Sequence, residues 1–138
     1  MTTLRLPHYC RTWIEDRVRA GYPRETCGLL LGRQNGSGVE VCDVIAAHNL
    51  NTERAEDRFD LDPQDFFKAD QAARAAGLEL VGVWHSHPDH PAQPSATDRE
   101  FAWEGWSYLI LSVGRGGVRD VRSWRLADED FVEEEVRP

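Results

Sequence analysis

The period of the apolar residues changes several times along the chain, and each change predicts an element. Over residues 7–20, Cys10, Trp13, Ile14 and Val18 recur near 3.6, the period of a helix with one buried face. Tyr22-Pro23 ends that helix, because the residue before a proline is biased out of the helical region. Residues 27–32 (CGLLLG) form a continuous apolar run, and residues 39–47 a more alternating one. The glycine-rich stretch Gln34-Asn35-Gly36-Ser37-Gly38 between them predicts a hairpin. Residues 63–76 open on Asp62-Pro63, a capping residue followed by proline in the first turn, and close at Gly77, which predicts a second helix. Residues 78–84 (LELVGVW) read as a buried strand that runs straight into His85. Residues 95–104 have a helical pattern, and residues 108–113 and 118–126 read as strands joined by a glycine turn at 114–117. Residues 131–136 read as an edge strand.

Helices and strands mix here without strict strand–helix–strand alternation, so the fold class is α/β or α+β, a mixed sheet flanked by helices. At 138 residues the chain holds one domain with a real core and is too short for two ordinary ones, so residues 1–138 are taken as a single domain. No internal repeat or low-complexity tract interrupts it.

Composition narrows the function classes. Hydrophobic residues make up 41% and charged residues 29%, the balance of a globular chain and not of a disordered one. The formal net charge of −8 argues against binding nucleic acid through its phosphates, which needs a concentrated positive surface. No apolar run approaches the ~20 residues that cross a bilayer. The first seven residues lack a basic segment followed by an apolar one, so no secretory signal is read there and the expected compartment is the cytoplasm. Cys10, Cys27 and Cys42 form no CxxC pair and no even-numbered framework, and are expected to be buried free thiols.

The segment with chemistry is His85-Ser86-His87-Pro88, then six residues, then Ser95-Ala96-Thr97-Asp98. On a strand, residues i and i+2 share a face, so His85 and His87 project together while Ser86 turns away. Pro88 cannot donate to a sheet ladder and marks the strand's end. Ser95 and Asp98 have the spacing of a capping box, with Ser95 at the N-cap and Asp98 in the first turn. The stiff connection between, with Pro91 and Pro94, can fold that helix start over the strand end. Two histidines and one carboxylate leave a fourth position open, the pattern of a catalytic zinc site. Ser95 also keeps a hydroxyl proton that can stabilise an oxyanion. Each element alone has a plainer reading, since an HxH pair recurs by chance and Ser-x-x-Asp is commonly just a cap. Their convergence in one window is what points to metal. His90 lies beyond Pro88 in the connection, and His8 and His48 have no partner pattern.

Together with the upstream segment 23–32 (PRETCGLLLG) and the pre-helix segment 59–63 (FDLDP), this window resembles the JAMM (MPN+, Mov34/PAD-1) zinc metalloproteases, in their compact prokaryotic form. The resemblance implies a curved, cytidine-deaminase-like mixed sheet in a single MPN-type domain, and a zinc ion held by His85, His87 and Asp98. It also implies Glu25 as the acid/base residue and Ser95 as the oxyanion donor; without it Glu25 would be one of 24 acidic residues. The implied activity is hydrolysis of a peptide or isopeptide bond after the C-terminal glycine of a ubiquitin-like or sulfur-carrier protein ending in Gly-Gly. The family leaves room for a homodimer and calls for neither nucleic acid nor membrane. A strand edge beside the site is expected to hold the extended tail of such a substrate by strand addition. Two other readings are weighed against this one. A catalytically silent MPN scaffold usually lacks one of the five positions, all of which are filled here. A zinc deaminase needs an H-x-E and a P-C-x-x-C, neither of which occurs.

Overall fold

The computed structural model describes residues 2–51, 60–100 and 102–138. Along the chain run β1 (Thr3–Arg5), α1 (His8–Gly21), β2 (Cys27–Asn35), β3 (Gly38–Ala47), α2 (Pro63–Ala75), β4 (Glu79–Pro88), α3 (Ala96–Glu100), β5 (Ser107–Gly114), β6 (Gly117–Ala127) and β7 (Asp130–Arg137). The strands close into a barrel in the order β1-β3-β2-β4-β5-β6-β7. The pairs β1–β3, β1–β7 and β4–β5 are parallel and the others antiparallel, so the sheet is mixed as expected. No described helix is long and apolar enough to cross a membrane.

The strands bury both faces. Leu30, Val39, Val41, Trp84, Leu109 and Leu111 form one cluster with Cys10, Ile14 and Val18 of α1. Leu29, Leu31, Val83 and Tyr108 form the other with Ala69 and Ala73 of α2. Alternate residues of one strand therefore serve different helices, which is why residues 27–32 and 78–84 read as continuous apolar runs. Close approach fixes Gly28: a Cβ there would lie 2.0 Å from the Ile45 carbonyl oxygen and 2.3 Å from Trp84 Nε1. That gap lets the Trp84 indole N–H reach the Ile45 carbonyl at 3.1 Å.

Four expectations change. Residues 131–136 are not an edge strand, because β7 pairs with β6 on one side and with β1 on the other. β1 itself, three residues long, was not foreseen. The helix expected over 95–104 covers only Ala96–Glu100. Phe101 lies outside the described residues, the Trp103 N–H is taken by the Tyr108 hydroxyl at 2.6 Å, and Gly105 turns the chain with φ +82°. Cys10 and Cys27 are buried free thiols, but Cys42 is only partly buried. The segment 59–63 is described from Asp60 onward, where Asp62 caps α2 by accepting from the Gln64 N–H at 2.9 Å.

Candidate metal centre

β4 continues past Trp84 through His85 and His87 to Pro88, and every one of its residues after Glu79 is buried. His85 is in register with Cys27 of β2 on one side and with Ile110 of β5 on the other, while Ser112 of β5 is in register with His87. Glu25 lies two residues ahead of Cys27, and Thr26 locks this entry to β4: its N–H donates to Ser86 Oγ at 2.9 Å, and its carbonyl accepts from the Ser86 N–H at 2.9 Å. Ser86 thus faces away from the histidines, as the strand period requires.

The side chains gather around the His85 ring. His85 Nδ1 lies 3.7 Å from Glu25 Oε1, His85 Nε2 lies 3.6 Å from Asp98 Oδ1, and His87 Nε2 lies 3.2 Å from Asp98 Oδ2. One ligand atom from each of Glu25, His85 and His87 falls within 4.8 Å of the others. The capping box is formed: the Ser95 N–H donates to Asp98 Oδ2 at 2.8 Å and the Asp98 N–H donates to Ser95 Oγ at 3.0 Å. The cap fixes the carboxylate that faces both imidazoles. Burial would raise the Asp98 carboxyl, but His85, His87 and the Ser95 amide hold it well below the usual carboxylate range. Burial lowers His87, and the Asp98 carboxylate with the Pro91 carbonyl more than offsets this, so its pKa is raised.

These residues fit a divalent cation. His87 Nδ1 lies 2.9 Å from the Pro91 carbonyl, which can only accept, so Nδ1 carries the hydrogen and Nε2 turns a bare lone pair toward Asp98 in the neutral ring. Glu25 Oε2 is buried with no hydrogen-bond partner among the described residues. Glu25 pairs with no Lys or Arg among those residues, and an uncompensated buried carboxylate is costly. Imidazole nitrogens with carboxylate oxygens are the donor set that zinc accepts.

Two cavities flank this cluster. One, of about 420 Å³, is lined by aromatic and aliphatic side chains, among them Phe66, Trp103, Trp106 and Tyr108, and reaches His85 and Asp98. The other, of about 350 Å³, is walled by Pro88, Pro91 and Pro94 and contains Glu25, His87 and Ser95. All five site residues foreseen in the sequence are therefore together. His90 lines the second cavity without joining the cluster. His48 does have a partner after all, Asp65 at 2.8 Å; with Asp62 these form an exposed group whose carboxylates are already engaged by His48 and by the α2 cap. Missed in the sequence were the aromatic wall, whose only signal was the Trp103-x-x-Trp106 spacing, and Asn49. The Asn49 amide donates to the Glu25 carbonyl at 3.2 Å and so helps hold the segment that carries the carboxylate.

The closed mixed barrel thus carries a histidine pair at one strand terminus and a capped aspartate folded over it. The chain belongs to the JAB class of domains: residues 10–127 match the family of prokaryotic homologs of the JAB domain. It is 42% identical over 93 residues to a desampylase of Haloferax volcanii, a match covering 65% of this chain and 63% of that protein. It is 31% identical over 120 residues to the CysO-cysteine peptidase of Mycobacterium tuberculosis, covering 86% and 80%. A solution structure of a protein from Desulfitobacterium hafniense superposes with a TM-score of 0.82 at 32% identity, over 99% of this chain and 91% of that one.

Proposed function

We propose that this chain is a zinc-dependent peptidase that hydrolyses the bond after the C-terminal glycine of a ubiquitin-like, sulfur-carrier type of protein. The observation that carries the reading is the clustering of His85, His87 and Asp98 with Glu25 and Ser95 between two cavities. The names of the relatives, a desampylase and a CysO-cysteine peptidase, support the class of substrate.

His85, His87 and Asp98 would hold the metal, which when bound supplies Lewis acidity toward water and a carbonyl oxygen. Glu25 takes a proton from the attacking water and delivers it to the departing amine as the carbon–nitrogen bond breaks and the carbon–oxygen bond forms. Ser95 Oγ accepts from the Asp98 N–H, which leaves its own proton to donate to the developing oxyanion. Of these two cavities Glu25 lines the proline-walled one, so the amine departs there and the acyl chain lies in the aromatic cleft. Glycines at the end of that chain suit a close approach to the buried histidines, having no side chain to clash. Among the described residues, β2 and β4 offer no open edge for the strand addition expected from the sequence, because each is paired on both sides. The apolar wall of the cleft takes that part.

The test incubates zinc-loaded protein with carriers ending in Gly-Gly, each bearing a C-terminal extension, and follows mass. Release of the extension at the Gly-Gly, abolished by chelation, is the expected result. Equal cleavage of unrelated unfolded peptides would make it a general peptidase, and no cleavage by zinc-loaded protein would sink the reading.

A further inference from the structure

The connection from Pro88 to Ser95 carries no regular secondary structure beyond turns, yet three consecutive carbonyls in it are each held by a side chain from elsewhere. Ser112 Oγ donates to the His90 carbonyl at 2.5 Å, His87 Nδ1 to the Pro91 carbonyl at 2.9 Å, and the Trp124 indole N–H to the Ala92 carbonyl at 3.0 Å. The start is tied as well, through the Asp89 N–H to the Val113 carbonyl at 2.7 Å and the Tyr22 hydroxyl to the Asp89 carboxylate. Ala92 is 1% exposed, so the middle of the connection is packed down and not draped over the surface. Ser112 is in register with His87 in the sheet, and Trp124 with Tyr108.

The three bonds form one device. The Pro91 carbonyl fixes which nitrogen of His87 bears the hydrogen, but a carbonyl in a connection can do so only if it is itself fixed. Ser112 holds the carbonyl before it and Trp124 the one after it. The same connection ends at Ser95, whose cap aims Asp98. We propose that Ser112 and Trp124 are positioning residues for the metal centre, anchoring the 88–95 connection so that the Pro91 carbonyl orients the His87 imidazole and Asp98 is delivered over it. This rests on the metal reading above. Partners that orient a ligand typically change metal affinity by about 10–100-fold when removed.

The experiment compares Ser112→Ala and Trp124→Phe in the full chain. Each deletes one donor: the first leaves a small β-strand residue, the second an aromatic ring. Zinc affinity, read by competition with a chromophoric chelator, should weaken about tenfold or more in each. kcat on a Gly-Gly-extended carrier should fall with KM little changed, and Ser112→Thr, which restores a hydroxyl, should recover both. Val41→Ala, a cavity in the cluster under α1, supplies the control for stability alone: its melting temperature should fall while zinc affinity holds. Wild-type zinc affinity in both donor variants would overturn the inference while leaving the metal reading intact. Equal losses in Val41→Ala, or failure of Ser112→Thr to recover, would reduce both residues to packing and overturn it too. A wild-type protein that binds no zinc would overturn both readings.

Discussion

Replacing Ser95 separates two roles that one hydroxyl can hold at once. As N-cap its oxygen accepts from the Asp98 N–H at 3.0 Å, and as oxyanion donor it would offer its own hydrogen in the cavity that Ser95 lines with Glu25 and His87. Loss of a serine cap to alanine costs about 1 kcal/mol, and to glycine only a few tenths. For a domain of this size 1 kcal/mol lowers the melting temperature by roughly 3–5 °C. Total stabilities run about 5–15 kcal/mol, so Ser95→Ala stays folded and Ser95→Gly is nearly as stable as wild type. Removing an oxyanion donor costs about 10²–10³ in turnover, or roughly 2.7–4 kcal/mol of barrier. The second effect is the larger, and in the glycine variant it stands almost alone. Thermal melts, zinc content and kcat on a Gly-Gly-extended carrier should therefore give a stable, zinc-loaded Ser95→Gly that turns over about a hundredfold more slowly. A glycine variant with zinc and normal turnover would leave Ser95 only its cap. One that loses zinc would mean that the cap acts through Asp98 ligation instead.

Four further outcomes follow from the same geometry. His85→Ala, His87→Ala and Asp98→Ala should each sharply lower zinc content measured by elemental analysis, and full occupancy in the Asp98 variant would remove Asp98 from the ligand set. Glu25→Gln should keep zinc and lose nearly all turnover; since a Glu25 oxygen also lies within 4.8 Å of a ligand atom from each histidine, loss of zinc would make it a ligand and not the base. Burial, then the nearby Glu25 charge, pushes the Cys27 thiol up to about 12, so at pH 8 only about one in 10⁴ is thiolate and iodoacetamide should leave it unlabelled in folded protein. Gly28→Ala should cost about 3 kcal/mol in urea melts, because its Cβ would meet the fixed Ile45 carbonyl at 2.0 Å.

The elements readable in the sequence are those whose signal is local. The α2 start is written in Asp62-Pro63, and the hairpin between β2 and β3 in its glycine turn. The HxH pair lies on a strand period, and the Ser95–Asp98 spacing is a capping box that forms as spaced. β1 and the closure of the barrel left no such mark. Thr3–Arg5 is too short to show a period, and its partners are Gly38–Glu40 and Glu135–Arg137, from opposite ends of the chain. A short, glutamate-rich run such as β7 reads the same whether its outer side is open or paired, so the sequence alone does not tell an edge from an interior strand. The overlong helix after Ser95 has a similar cause: the Trp103 N–H leaves the helical pattern for a hydroxyl on β5.

The centre itself divides along the same line. His85, His87, Ser95 and Asp98 sit within fourteen residues of one another, so strand and cap rules nearly place them. Glu25 is sixty residues before His85, and nothing in its own neighbourhood distinguishes it from other acidic residues. What brings it in is the β2–β4 register that sets Cys27 beside His85, reinforced by the paired bonds between Thr26 and Ser86. The apolar run that follows Glu25 is thus what aims it: Leu29 and Leu31 must face the α2 cluster, and the strand period carries that face back to Cys27 and Glu25. A one-residue slip of β2 would turn those leucines toward the α1 cluster and swing the carboxylate away from the histidines together. Core packing and placement of the Glu25 carboxylate are therefore one constraint, which is why a sheet buried on both faces can hold a residue so distant in sequence at 3.7 Å from a histidine nitrogen.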